Sequence, residues 1–83
     1  MYSVWFSKKS KKQLSKLPKN IQEITLNKVY LIRHEPVRYL KKLEGSKLWR
    51  LKIMDYRAII DLIVTDNKII VLTIDKRSKV YGK

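Results

Sequence analysis

The stretch LWRLKIMDYRAIIDLIVTDNKIIVLTIDKRSKVYGK, Leu48 to Lys83, decides the fold. Trp49, Leu51 and Ile53 alternate strictly with Arg50 and Lys52, so one face of this strand is apolar and the other cationic. Met54-Asp55 reads as a two-residue turn. Tyr56 to Val64 is apolar on nearly both faces, the pattern of a central strand covered on two sides. Asp66-Asn67 supplies a second turn, because both residue types tolerate a positive φ. Lys68 to Asp75 is a last strand, again apolar on both faces, and a basic, aromatic tail follows.

Upstream, Tyr2, Val4 and Phe6 alternate with Ser3 and Trp5, which predicts a first strand. Ser7 offers a side-chain cap to a short helix, KKSKKQLSKL, with Leu14 and Leu17 facing inward. Lys8, Lys9, Lys11 and Lys12 crowd the start of that helix, where the macrodipole favours acids. They form a solvated face or one kept positive to follow a nucleic-acid backbone. Pro18 stops the helix. Asn20 reads as the cap of a second helix running to about Arg33, with Ile21, Ile24, Leu31 and Ile32 as its inward stripe and Lys28 snorkelling from within it. Leu26 and Tyr30 point the other way, either as ordinary exposed apolar residues or as a partner-binding face. His34-Glu35-Pro36 breaks this helix, and 37–47 reads as a loop with at most a turn of helix. The isolated His34 suits a helix C-terminus better than a ligand role.

The expected architecture is therefore α+β: an N-terminal strand and two helices on one face of a small, mainly antiparallel four-stranded sheet, in the order β-α-α-β-β-β. A chain of 83 residues holds one domain, 1–83. Being short, it buries roughly 60–65% of its unfolded surface. Twenty Lys and Arg stand against seven Asp and Glu, a net charge of +13 that invites a polyanion. The absence of cysteine excludes a disulfide framework and thiolate zinc sites, and one histidine with scattered acids gives no expectation of a metal or other cofactor. No apolar run reaches transmembrane length and no signal-peptide core is evident, so a soluble cytoplasmic protein without a membrane partner is expected.

The charges then need a reason. With Met54-Asp55 as a two-residue turn, Lys52 falls directly opposite Arg57, and Arg50 lies on the same face about 7 Å along the strand. Like charges directly opposed destabilise a ladder. Arginine cannot act as a base, but it binds phosphate through two parallel bonds and stabilises charge growing on phosphorus. A lysine crowded by other cations can serve as a base, and a tyrosine can stack on a nucleobase or help move a proton. Together these residue types suit cleavage of RNA by its own 2′-hydroxyl. A plain RNA-binding surface contains the same ones.

In order along the chain, KLEG, the WRLKI strand, DYR, the hydrophobic hairpin and the closing Arg77-Ser78-Lys79-Val80-Tyr81 resemble the RelE/ParE superfamily of toxin–antitoxin toxins, and the N-terminal strand with FSKKSKKQLSKLPKNIQEI extends the resemblance over nearly the whole chain. The resemblance implies a ribosome-dependent mRNA endonuclease acting in the A site. It implies Lys52 as the base for the 2′-hydroxyl, Arg57 as transition-state stabiliser, Arg77 as partner of the phosphate or leaving group, and Tyr81 stacking on or orienting a base. Arg50 would support substrate binding, with Lys47, Lys76, Lys8, Lys11 and Lys12 as further RNA contacts. A RelB-like antitoxin is the implied partner, in a heterodimer or heterotetramer, with Leu26 and Tyr30 as contacts. Met54 stands where many relatives have glycine, and Lys76 where many have histidine. No Glu/His pair of the YoeB-like type is present. Two alternatives stay open: a ParE-type inhibitor of DNA gyrase, and a non-catalytic basic RNA-binding domain.

Overall fold

In the computed structural model of the protein, which describes residues 1–76, the chain runs β1 (Ser3–Phe6), α1 (Lys8–Ser15), α2 (Lys19–Leu31), the single turn α3 (Pro36–Tyr39), β2 (Lys41–Lys42), β3 (Trp49–Ile53), β4 (Tyr56–Ile63) and β5 (Lys68–Lys76). The strands form one sheet in the order β1-β5-β4-β3-β2. β1 lies parallel to β5, and the other pairings are antiparallel. The α+β class and element order agree with the sequence reading. The fourfold sheet does not: the segment read as a loop contributes a fifth strand, β2, which is only two residues long.

The alternation of β3 sorts its residues as expected, with Leu51 and Ile53 buried and Lys52 exposed. Ala58 and Ile60 of β4, and Ile69, Val71 and Ile74 of β5, share the buried side. Ile21, Val29 and Ile32 complete the same core from α2 and the residue that caps it. α2 differs in detail from its expected stripe. It starts at Lys19 behind Pro18 with no side-chain cap, so Asn20 lies inside the helix. Leu31 is 62% exposed, because the helix ends there, and Thr25 and Val29 take the inward places. Thr25 tolerates burial by donating its hydroxyl to the Ile21 carbonyl at 2.7 Å. Lys28 does snorkel, and its Nζ donates to the Lys52 carbonyl at 2.9 Å.

Ser7 caps α1 as predicted, accepting from the Ser10 amide at 3.0 Å. Its own hydroxyl donates to the Leu72 carbonyl at 2.8 Å, while Ser10 Oγ donates to the Val71 carbonyl at 2.7 Å. These bonds anchor α1 where β1 stops pairing with β5. Two residues further along β5 than Leu72, Gln13 Oε1 accepts from the Ile74 amide at 2.7 Å. A helix side chain thus completes the edge of β5 beyond β1, which leaves fewer strand groups open to pairing with another chain.

Two turns set the register. Met54-Asp55 is a two-residue turn with Met54 at φ +54°, the sign that favours glycine at the first central position of a hairpin turn. The cost of holding a side chain there is about 1–2 kcal/mol. The second turn is longer than the sequence suggested, spanning 64–67 with Asn67 at φ +53°. A bulge between Ile59 and Ile60 then slips β5 by one residue relative to β4. Among the described residues no helix is long and apolar enough to cross a membrane.

Candidate functional site

The sheet's second face, away from the α2 core, carries the charges. Lys52, Arg57 and Asp75 stand in one row across β3, β4 and β5, each directly opposite the next. The adjacent row is Lys41, Arg50, Ile59 and Thr73, across β2 to β5. Directly opposed residues have Cβ atoms about 4.5–5.5 Å apart. Four cations therefore occupy neighbouring positions on one face, and the two-residue Met54-Asp55 turn is what opposes Lys52 to Arg57. A groove of about 150 Å³ opens between Arg50, Lys52, Tyr56 and Arg57.

Exposure differs sharply within the cluster. Lys52 is exposed, Arg50 is half-buried, and Arg57 is only 6% exposed. A buried guanidinium surrounded by sheet has few rotamers left, so its fork is presented in a fixed direction. Lys52, one residue from the end of β3, is exposed on a flexible stem. Arg57 Nε and Nη1 are buried, so an anion entering the groove meets Arg50, Lys52 and at most the remaining amino group of Arg57.

Asp75 brings an acid into the row. Gln13 Nε2 lies 3.3 Å from its Oδ1, and Thr73 Oγ1 lies 3.2 Å from its Oδ2. Thr73 Oγ1 is also 3.1 Å from Gln13 Oε1, and its single proton serves one acceptor at a time.

Of the residues singled out from sequence, Arg50, Lys52 and Arg57 come together, and Lys76 pairs with Tyr56 at the same end of the sheet. Lys47 does not join them. It sits exposed in the turn before β3, five positions from Lys52, or roughly 17 Å along an extended chain. Lys8, Lys11 and Lys12 are exposed along α1, the helix whose Gln13 touches Asp75. Leu26 and Tyr30 are 43% and 60% exposed on α2, with the Arg33 guanidinium 4.3 Å above the Tyr30 ring. Arg77 and Tyr81 lie outside the described residues. Sequence reasoning missed Lys41, Tyr56, Gln13, Thr73 and Asp75.

Comparison with solved structures places these features in a known scaffold. The chain is similar to one in the archaeal RelE–RelB complex from Pyrococcus horikoshii, with a TM-score of 0.81 and 30% identity over 94% of this chain and 97% of that one. It shares its fold with a chain of the Mycobacterium tuberculosis RelBE2 toxin–antitoxin complex, with a TM-score of 0.83 and 24% identity over 92% and 98% of the two chains. The isolated E. coli RelE toxin matches at a TM-score of 0.82 and 24% identity, over 99% of this chain and 93% of that one. No family model matches the sequence, and no curated protein does.

Proposed function

The chain belongs to the RelE toxins of toxin–antitoxin systems, and from that premise we propose that it is a ribosome-dependent endonuclease that cuts mRNA in the A site. The observation that carries this reading is the direct opposition of Lys52 and Arg57 with Arg50 on the same face. Like charges directly opposed destabilise a ladder, and exposure of Lys52 screens part of that. A small domain has little stability to spare, so a retained repulsion of this kind fits an anionic ligand better than it fits stability alone.

In the proposed reaction the 2′-hydroxyl of one nucleotide attacks the adjacent phosphorus. Lys52, in its neutral form, takes the hydroxyl proton. Arg57 and Arg50 hold the non-bridging oxygens, whose charge grows in the transition state. The bond from phosphorus to the 5′-oxygen breaks, and that oxygen leaves and takes up a proton. The products are a 2′,3′-cyclic phosphate and a 5′-hydroxyl. Arg77 would serve the phosphate or leaving group, and Tyr81 would stack on a base. The positive face of α1 would rest against ribosomal RNA. Ribosomes place the site of action in the cytoplasm.

Purified protein added to translating ribosomes is expected to yield mRNA ends within the A-site codon. Intact mRNA together with inhibited DNA supercoiling would instead favour a gyrase inhibitor, and salt-sensitive RNA binding without cutting a non-catalytic domain.

The RelE proteins compared above from P. horikoshii and M. tuberculosis are found in complexes with RelB-type partners. We propose a RelB-like antitoxin for this chain too, in a heterodimer or heterotetramer, with an amphipathic segment docked over Leu26 and Tyr30. Replacing both by aspartate is expected to weaken the complex at least tenfold in titration calorimetry. Unchanged affinity would move the contact to another face.

A further inference from the structure

Trp5 is 54% exposed, although its strand neighbours Val4 and Phe6 pack against the core. Side chains alternate along β1, so Ser3 and Trp5 belong to the sheet's second face, the one that carries Arg50, Lys52 and Arg57. Lys68, directly opposite Ser3 on β5, holds its Nζ 5.4 Å from the centre of the Trp5 ring. We propose that Trp5 and Lys68 form a stacking platform for a base of single-stranded RNA, on the same face as the cationic groove. That the stacked strand is also the one cut rests on the nuclease reading above; the binding of single-stranded RNA does not.

The ring is held in place. Trp5 Nε1 donates to Ser3 Oγ at 2.9 Å, and that Oγ lies 3.4 Å from the Asn67 carbonyl. The indole's one polar group is thereby satisfied within its own strand. What the ring still offers a ligand is π surface, which accepts any flat base without regard to sequence. Lys68 stands within the range of a cation–π contact, so a phosphate flanking a stacked base meets a positive charge. Asp61 lies in the same row beyond Ile70, and Asp66 two residues before Lys68, yet neither forms an ion pair with Lys68 among the described residues.

The spacing suits one strand reaching both places. Trp5, Ile70 and Asp61 are opposed in turn across β1, β5 and β4, and Arg57 is four residues along β4 from Asp61. The platform is therefore about 10 Å across the sheet and roughly 13 Å along it from Arg57. About four nucleotides of extended strand, the small end of single-strand sites, cover that span. A protein partner would also make use of an exposed tryptophan. The lysine over the ring and a net charge of +13 favour a polyanion instead.

The whole, unaltered chain serves for the first arm of the test. It has two tryptophans, so the Trp5 ring protons are followed by NMR and assigned by their loss in Trp5→Phe. An adenine oligoribonucleotide of about eight residues is expected to move them upfield, and an abasic ribose–phosphate oligomer of the same length to leave them in place. In the second arm Trp5→Ala should weaken binding of the adenine oligomer by about fivefold to a hundredfold, the scale of one base stacked on an aromatic ring, with Trp5→Phe retaining part. Lys68→Gln should lower the slope of log affinity against log salt by about 0.7, the share of one phosphate contact on a single strand. On programmed ribosomes Trp5→Ala should raise the half-saturating concentration and leave the maximal rate near that of the parent. Failure of the adenine oligomer to bind, or ring protons that it leaves unmoved or that the abasic oligomer moves equally, overturns the proposal, and this arm needs no substitution that could unfold the chain. Weaker antitoxin binding by Trp5→Ala with unchanged RNA affinity gives the face to a protein partner and also overturns it. Base-dependent shifts in a chain that cuts no mRNA leave the platform standing and remove the nuclease reading.

Discussion

Arg57→Lys is expected to lower the maximal rate of mRNA cutting by about 10²–10³-fold, the loss seen when one preorganised transition-state donor is removed. Lysine is the sharper substitution because it preserves the positive charge at this buried position. It removes only the planar guanidinium, whose Nε and Nη1 are buried, and puts a single flexible ammonium in its place. The burial of Arg57 makes this difference large: at 6% exposure the side chain cannot swing to restore the lost contact. The rate is measured under single turnover, with the thermal midpoint as a check on folding. A loss below tenfold in a folded variant would remove Arg57 from the transition state and leave it a structural role.

Ile60→Ala should destabilise the chain by about 2–5 kcal/mol, the range for truncating a fully buried isoleucine. Ile60 has no solvent exposure and lies on β4, between β3 and β5, facing the α2 core. It is opposite Trp49 on one side and Val71 on the other, next to the bulge. Strands pair with β4 on both sides of it, so a cavity there has little room to collapse. For a domain of this size the change corresponds to a fall in thermal midpoint of about 8–40 °C. Val64→Ala, in the exposed second turn, is the matched control and should lie within about 0.5 kcal/mol of the parent. A loss below 1 kcal/mol for Ile60→Ala would show that the core is not organised around β4.

Much of the site was legible because period-2 alternation and one turn length fix relative position. Trp49, Leu51 and Ile53 assign Arg50 and Lys52 to the other face, and a two-residue turn at Met54-Asp55 then opposes Lys52 to Arg57. The rest depended on features with weak local signals. Lys41 joins the cluster through a strand of two residues, too short to show alternation. Asp75 was hidden by register. A two-residue turn at Asp66-Asn67 would set Arg57 opposite Lys76, a further cation in place of an acid. The turn over 64–67 and the bulge near Ile59 and Ile60 together put Asp75 there instead. Gln13 could not be found from spacing, since it reaches the site from a helix more than fifty residues away in the chain. Leu31 was misread because helical periodicity was extended through the last residue of α2, where the chain already turns away.

The proposed chemistry stands or falls on the 2′-hydroxyl. Ribosomes are programmed with mRNA carrying either a ribose or a 2′-deoxyribose at the nucleotide whose hydroxyl would attack, and the ends are mapped after addition of purified protein. The ribose substrate should be cut in the A-site codon, leaving a 2′,3′-cyclic phosphate and a 5′-hydroxyl. The deoxy substrate should remain whole while still competing for the protein. Cutting of the deoxy mRNA at the same place, or an intact ribose mRNA, would contradict the mechanism assigned to Lys52, Arg57 and Arg50.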